Sequence, residues 1–314
     1  MNDLAEHATC TRSIRVRGLV QGVGFRPTVW RLAHDHGVSG DVRNDGDGVL
    51  IHARATSNVL DRFVASLRAN RPPLARIDDI EQRPFDGNIT HDGFHIAQSD
   101  ATQVSTGIVP DAATCPHCLR ELMDPADRRF HYPFTNCTHC GPRLSIVRGI
   151  PYDRASTSMA GFALCEDCRR EYQAPADRRF HAQPNACGKC GPQVALLDQN
   201  GKRIESDDAI KRSAALLAAG GIVAIKGLGG IHLACDAGNA ASVALLRQRK
   251  QRDRKPLALM ARDLEQIRDY CRVDAAEAAA LTGPAAPIVV LDARQADLLP
   301  GAIAPGQRRW GFML

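Results

Sequence analysis

No apolar stretch of this chain approaches the roughly 20 residues that a membrane-spanning helix needs, and nothing in it reads as a transmembrane segment. The first residues, Met1 to Ser13, are polar and lack the basic-then-apolar layout of a secretion signal. A true charge surplus is missing too. The formal net charge is +5, with 40 basic residues against 35 acidic, but that figure counts every thiol as neutral. If eight cysteines hold two Zn²⁺ as thiolates, their eight negative charges less four positive ones take +5 down to +1. Global charge then gives no support to a phosphate-backbone partner such as nucleic acid. Gly227-Leu228-Gly229-Gly230 lacks the lysine–serine ending of a P-loop. Cys10, Cys235 and Cys271 have no neighbouring base to activate them and read as free thiols. The length prior allows about two domains, or three if small metal modules are among them.

What the chain has is a duplicated set of cysteine pairs. Cys115/Cys118 and Cys137/Cys140 recur fifty residues later as Cys165/Cys168 and Cys187/Cys190, with eighteen residues between the pairs of each copy. The intervening Pro125-Ala126-Asp127-Arg128-Arg129-Phe130-His131 returns as Pro175-Ala176-Asp177-Arg178-Arg179-Phe180-His181. Two thiolates three positions apart can chelate one ion, and two such turns complete a tetrahedral Zn²⁺ shell. Disulfides would need an oxidising compartment, and iron–sulfur motifs carry denser cysteine runs. Paired thiols without an export signal place the chain in the cytoplasm. A closed four-thiolate shell leaves no position for substrate, so these zincs are structural. Local pairing, 115–140 and 165–190, is the default because the loop to be closed is shorter, and a crossed pairing stays open. His117, His131, His139 and His181 are spare, since four thiolates saturate each ion. The repeated Arg-Arg-Phe-His is expected to pack Phe130 and Phe180 under each copy. Short strands are expected at Leu144–Val147 and Val194–Leu197, each following a Cys-Gly-Pro.

Residues 12–98 read as strand, helix, strand, strand, helix, strand. Ser13–Val20 alternates, Phe25–His36 has helical spacing and stops at Gly37, and Asp41–Asn44 with Val49–Ala53 flank the turn Asp45-Gly46-Asp47-Gly48. Asn58 is expected to cap a second helix, and a last strand lies near Ile77–Gln82. This order predicts an α+β, ferredoxin-like sandwich. The loop Gln21-Gly22-Val23-Gly24-Phe25-Arg26 has the parts of an anion cradle: glycines, a helix N-terminus and a guanidinium fork. Read alone, such a loop is more often structural, Arg26 a solvated helix-start residue, and Asn44 an Asx-turn residue entering the hairpin.

Residues 203–314 form a third segment of α/β character. A helix is expected over Asp207–Ala219, capped by Ser206 and closed by Gly220-Gly221, followed by a buried strand, Ile222–Lys226. A further helix, Asn239–Arg249, leads into Lys250-Gln251-Arg252-Asp253-Arg254-Lys255-Pro256 and the strand Leu257–Met260. The basic cluster alone suits a solvated helix end. The apolar ending Trp310-Gly311-Phe312-Met313-Leu314 reads as that of a truncated domain.

Val20-Gln21-Gly22-Val23-Gly24-Phe25-Arg26 followed by Val42-Arg43-Asn44 resembles the acylphosphatase signature. That resemblance implies a phosphoryl group held by Arg26 and the amides of Gln21 to Arg26, with Asn44 orienting the attacking water. The segment from 203 resembles the opening of a YrdC-like nucleotide domain, in which Lys250, Arg252 and Lys255 would surround nucleotide phosphates. The order acylphosphatase-like segment, paired fingers at 105–200, YrdC-like segment is similar to the N-terminal portion of the hydrogenase-maturation carbamoyltransferases, the HypF family. Ile150-Pro151-Tyr152-Asp153-Arg154 and Gly227 to Asp236 add to the likeness. Membership implies hydrolysis of carbamoyl phosphate to carbamate and its adenylation with ATP, with Mg²⁺. Transfer to a cysteine of the partner HypE would follow, for the cyanide ligands of nickel–iron hydrogenase. The transferase part is not in this sequence. Two other classes are a stand-alone acylphosphatase on a zinc scaffold and a zinc-ribbon nucleic-acid binder. The latter lacks a helix of base-reading side chains within each finger.

Overall fold

The computed structural model describes residues 8–89, 92–99, 107–206, 208–227 and 229–314. The polar N-terminus as far as residue 7, the start of the finger segment at 105–106, Asp207 at the expected helix start and Leu228 of the glycine loop lie outside them. The chain folds as two compact units, Met1–Pro192 and Gln193–Leu314. The first unit holds both the sandwich and the two cysteine copies.

In the first unit β1 (Thr9–Leu19), α1 (Phe25–His36), β2 (Ser39–Asp45), β3 (Gly48–Thr56), α2 (Ser57–Ala69) and β4 (Arg76–Pro84) follow in the expected order. A short β5 (Phe94–Ile96) then adds an edge strand, giving the order β4-β1-β3-β2-β5. Pairing is antiparallel except between β2 and β5. This is the ferredoxin-like arrangement. Alternation in β1 buries Ile14 and Val16 completely and turns Arg15 and Arg17 to the other face, where they pair with Asp45 and Asp47. Helix α2 contributes the stripe Leu60, Phe63 and Leu67, all fully buried. Each such side chain stabilises the fold by roughly 1.5–3 kcal/mol through removal from water. Gly37 ends α1 in the left-handed region, φ 66°, its N–H reaching the carbonyls of Ala33 and His34. Asn58 does not cap α2. Thr56 occupies that position without a side-chain bond, and Asn58 accepts instead from Arg62 within the helix.

The cysteine copies begin with α3 (Pro116–Met123) and α4 (Glu166–Gln173), each starting directly after the first cysteine of its copy. The second pair of each copy sits on a tight turn, where Cys140 and Cys190 donate their amides to the carbonyls of Cys137 and Cys187. His131 and His181 share the same left-handed backbone, φ 54° and 53°, so the copies match in conformation as well as in text. The expected strands Leu144–Val147 and Val194–Leu197 do not form. The first is a turn, with an isolated bridge from Val147 to Thr157; the second is irregular, with one bridge from Leu197 to Arg203. Leu144, Val194 and Leu197 are exposed, so no apolar face drives pairing there. The expected packing of both phenylalanines also fails: Phe180 is 6% exposed but Phe130 is 40% exposed. Phe180 meets the ring of Trp30 from α1 edge-on, whereas Phe130 stacks only on its neighbour His131.

The second unit contains α5 (Ala209–Ala218), β6 (Val223–Gly227), β7 (Gly230–Ala234), α6 (Ala240–Lys250), β8 (Ala258–Met260), α7 (Leu264–Tyr270), α8 (Ala275–Thr282), β9 (Val289–Asp292) and β10 (Arg309–Met313). Asp208, not Ser206, caps α5, accepting from the amides of Ile210 and Lys211. Strands β8, β10 and β9 form a three-stranded sheet with β10 central. Trp310 and Phe312 of β10 join Val243, Leu259, Ile267, Leu281 and Leu291 in a buried core. The strand expected to be buried, Ile222–Lys226, is mostly exposed. It pairs with β7 in a two-stranded hairpin and stays mostly exposed along its length.

Candidate functional site

The loop between β1 and α1 is fixed from both sides. Gln21 is almost fully buried, and its amide nitrogen donates to the carbonyls of Asp45 at 2.7 Å and Gly48 at 2.8 Å. Its amide oxygen accepts from the backbone of Tyr152 at 3.1 Å, so this side chain clamps the loop to the hairpin and to the connector between the cysteine copies. Gly22 and Gly24 are left-handed, φ 74° and 78°, a conformation that disfavours side chains. A Cβ at Gly24 would lie 2.8 Å from Cβ of Thr138, and one at Gly22 would lie 3.1 Å from the Tyr152 ring. The glycines therefore serve two needs, the loop's turn and the close approach of the finger segment. Val23 and Phe25 point into the core.

A small, partly open pocket lies at this junction. Gly22, Gly24, Phe25, Arg26 and Asn44 line one side, and Thr138, Arg143, Tyr152, His181 and Gln183 line the other. Arg26 is nearly buried; its guanidinium donates to Asp153 Oδ1 at 2.6 Å and to Ser99 Oγ at 3.1 Å. Asn44 is 2% exposed, and its Oδ1 has no hydrogen-bond partner among the described residues. An orphaned buried acceptor costs roughly 1–3 kcal/mol. Burial, and then the charge of Arg26, hold the His181 imidazole down at about 4, so this side chain is neutral at ordinary pH. Burial pushes the Tyr152 hydroxyl up, which keeps it protonated.

Each copy gathers its own four cysteines: Cys115, Cys118, Cys137 and Cys140 in one group, Cys165, Cys168, Cys187 and Cys190 in the other. Neighbouring sulfurs stand 3.7 Å (Cys115–Cys137), 3.8 Å (Cys137–Cys140), 3.8 Å (Cys165–Cys187) and 3.9 Å (Cys187–Cys190) apart. A tetrahedron with Zn–S bonds of ~2.3 Å has edges of ~3.8 Å, so the donor sets fit zinc. They are too far apart for disulfides. No histidine belongs to either group.

Sequence reading missed how the copies interlock. Arg178 of the second copy donates to Cys118 Sγ of the first at 3.1 Å, and Arg128 of the first donates to Cys168 Sγ of the second at 3.3 Å. Arg129 reaches across to Glu171 at 2.9 Å, and Arg179 reaches back to Glu121 at 3.3 Å. Burial would raise the Glu171 carboxyl, but donation from Arg129 and Arg128 outweighs it and holds the group at about 2. The same balance, with Arg179 and Arg178, lowers Glu121. These arginines also offset the charge of a four-thiolate zinc site. The sequence signal for this interlock is the duplicated Arg-Arg, Arg128-Arg129 and Arg178-Arg179.

In the second unit, Lys250 ends α6 and Lys255 is exposed, while Arg252 turns back onto the carbonyl of Pro256 at 2.7 Å. Arg247, on α6 just before this cluster, is buried and donates to the carbonyls of Arg252 and Ile303.

The acylphosphatase family matches residues 12–96, the HypF finger family matches 114–147 and 164–197, and the family described as telomere recombination matches 215–314. Carbamoyltransferase HypF2 of Cupriavidus necator is 53% identical over 304 residues, 96% of this chain and 38% of that protein. Carbamoyltransferase HypF of Rhodobacter capsulatus is 54% identical, over 96% of this chain and 40% of its own length. A crystal structure of full-length HypF in a phosphate- and nucleotide-bound form superposes with a TM-score of 0.91 at 43% identity, covering 98% of this chain and 40% of that one. The chain thus spans about 40% of the length of these relatives. Matched from end to end by one kind of protein, in segment order as well as in identity, the chain corresponds to the N-terminal portion of the HypF carbamoyltransferases.

Proposed function

We propose that the pocket beside the glycine loop hydrolyses carbamoyl phosphate. The observation that carries this reading is Asn44, whose buried Oδ1 has no partner among the described residues and which lines the same pocket as Arg26. In the proposed reaction the phosphoryl group sits on the amides of Gln21 to Arg26 and on the Arg26 guanidinium. Asn44 Oδ1 accepts a hydrogen bond from one water and aims its oxygen at phosphorus. A P–O bond forms to the water, and the P–O bond to carbamate breaks with its electron pair, leaving carbamate and inorganic phosphate. No strong base is needed, because carbamate is a good leaving group; positioning and charge neutralisation carry the rate. Two Zn²⁺ held by the cysteine groups would supply structure alone, since four thiolates leave no open position.

In the whole protein the carbamate would next meet ATP, with Mg²⁺, in the YrdC-like domain, where Lys250, Arg252 and Lys255 would hold phosphates. Transfer of the carbamoyl group to a HypE cysteine would follow in the portion beyond this chain. A crystal structure bearing both phosphate and nucleotide among the relatives supports the staged reading. A cytoplasmic location agrees with these partners, and among the described residues no helix is long and apolar enough to cross a membrane. The test is Arg26→Ala, which should lower carbamoyl phosphate turnover by at least roughly 10²-fold; unchanged turnover overturns the assignment.

A further inference from the structure

Arg143 is 1% exposed and belongs to the finger segment, yet its guanidinium touches the glycine loop. Its Nε donates to the Gly22 carbonyl at 2.7 Å. Its other nitrogens donate to the carbonyls of Gly141 at 2.7 Å, Thr138 at 2.8 Å and Cys137 at 3.3 Å. Those three carbonyls belong to the turn that carries Cys137 and Cys140 of the first cysteine group. One planar fork therefore ties the metal-binding turn to the loop read as the phosphate cradle.

We infer that Arg143 is a positioning residue through which the first cysteine group sets the geometry of the phosphate loop. The inference rests on the proposed hydrolysis and deepens it. A trans peptide is rigid and its C=O and N–H point in opposite directions. Fixing the Gly22 carbonyl therefore fixes the Val23 N–H, one of the amides assigned to phosphate. No carboxylate bonds to this guanidinium among the described residues; Asp111 accepts from the Arg143 backbone amide instead. The buried cation lines the pocket and adds positive potential where an anion is to bind. The duplication supplies an internal comparison. Fifty residues on, Cys190-Gly191-Pro192 is followed by Gln193, so the second copy has no arginine at this place.

The experiment uses the full chain with inorganic phosphate as the binding probe, alongside steady-state hydrolysis of carbamoyl phosphate and metal analysis. Arg143→Lys keeps the charge and loses the fork. Phosphate affinity should fall roughly tenfold and KM should rise in step, with kcat changed less than about twofold. Metal content should stay at wild type. If Arg143→Lys loses metal or fold, Cys118→Ser gives the second measurement. Amide exchange over Gln21–Arg26 should then accelerate and phosphate affinity should drop, while exchange in α2 stays unchanged. Wild-type phosphate affinity in Arg143→Lys, or an unaltered loop in a Cys118→Ser protein that has lost metal, overturns the inference. Arg26→Ala separates the two levels: if it abolishes turnover while Arg143→Lys changes nothing, the hydrolysis stands and the coupling falls. If Arg26→Ala also turns over normally, the hydrolysis itself is wrong.

Discussion

The two cysteine copies share spacing, backbone and even the left-handed histidine, yet they do different work. The first copy gives Thr138 and Arg143 to the glycine loop, and the second gives His181 and Gln183 to the lining of the same pocket. Phe180 is covered by Trp30, whereas Phe130 stays in solvent. Duplication set two equivalent metal sites. The residues that broke the repeat at Thr138 (against Gly188) and Arg143 (against Gln193) mark where one copy met the sandwich. A degenerate position inside a repeat is therefore a pointer to an interface or a site.

That comparison can be broken in several ways. The largest effect should come from the metal. Cys118→Ser and Cys168→Ser should each reduce bound zinc from about two to about one per chain, measured by elemental analysis. Because each copy's arginine donates to the other copy's sulfur, either variant should also weaken retention of the remaining ion against a chelator; full independence would undo the interlock. Next come the phenylalanines. Phe180→Ala should destabilise by about 3 kcal/mol, within the range for a buried aromatic, and Phe130→Ala should stay within about 0.5 kcal/mol, as for a surface change. Denaturant unfolding reads both, and equal losses would remove the asymmetry.

The acid dependence is a smaller effect. Glu171, held at about 2 against an ordinary 4.5, contributes stability that is present above pH 4.5 and lost as pH falls towards 2. Glu171→Gln should remove that slope. His181 acts over a higher window. Its unfolded form takes a proton near 6.5 and its folded form only near 4, so the unfolded state binds more protons between these values and stability falls as pH drops through them. The difference between wild type and His181→Gln in unfolding midpoint should appear between pH 6.5 and 4 and be flat above it.

Much of this was legible in one dimension. Helix α1 ends where Gly37 says it must, and the βαββαβ order follows from period and turn chemistry. The cysteine spacing led to both four-thiolate groups, because chelation by a CxxC turn is a local property. Arg26 and Asn44, named from the signature, both line one pocket. Cap residues went wrong by a position or two at Asn58 and Ser206, since several polar residues compete there and packing selects among them. The strand at 222–226 was read as buried from its composition, and composition does not say whether a covering layer is present.

By itself the sequence determined which residues chelate, where the chain turns, and which loop carries the glycines, because those properties depend on neighbours a few positions apart. Only the tertiary structure decided that Asp153 would hold Arg26, that Arg143 would hold Gly22, and that each copy's arginines would serve the other's sulfurs. Those contacts join residues 40 to 127 positions apart. Their partners are set by how whole surfaces pack, and no local pattern encodes that.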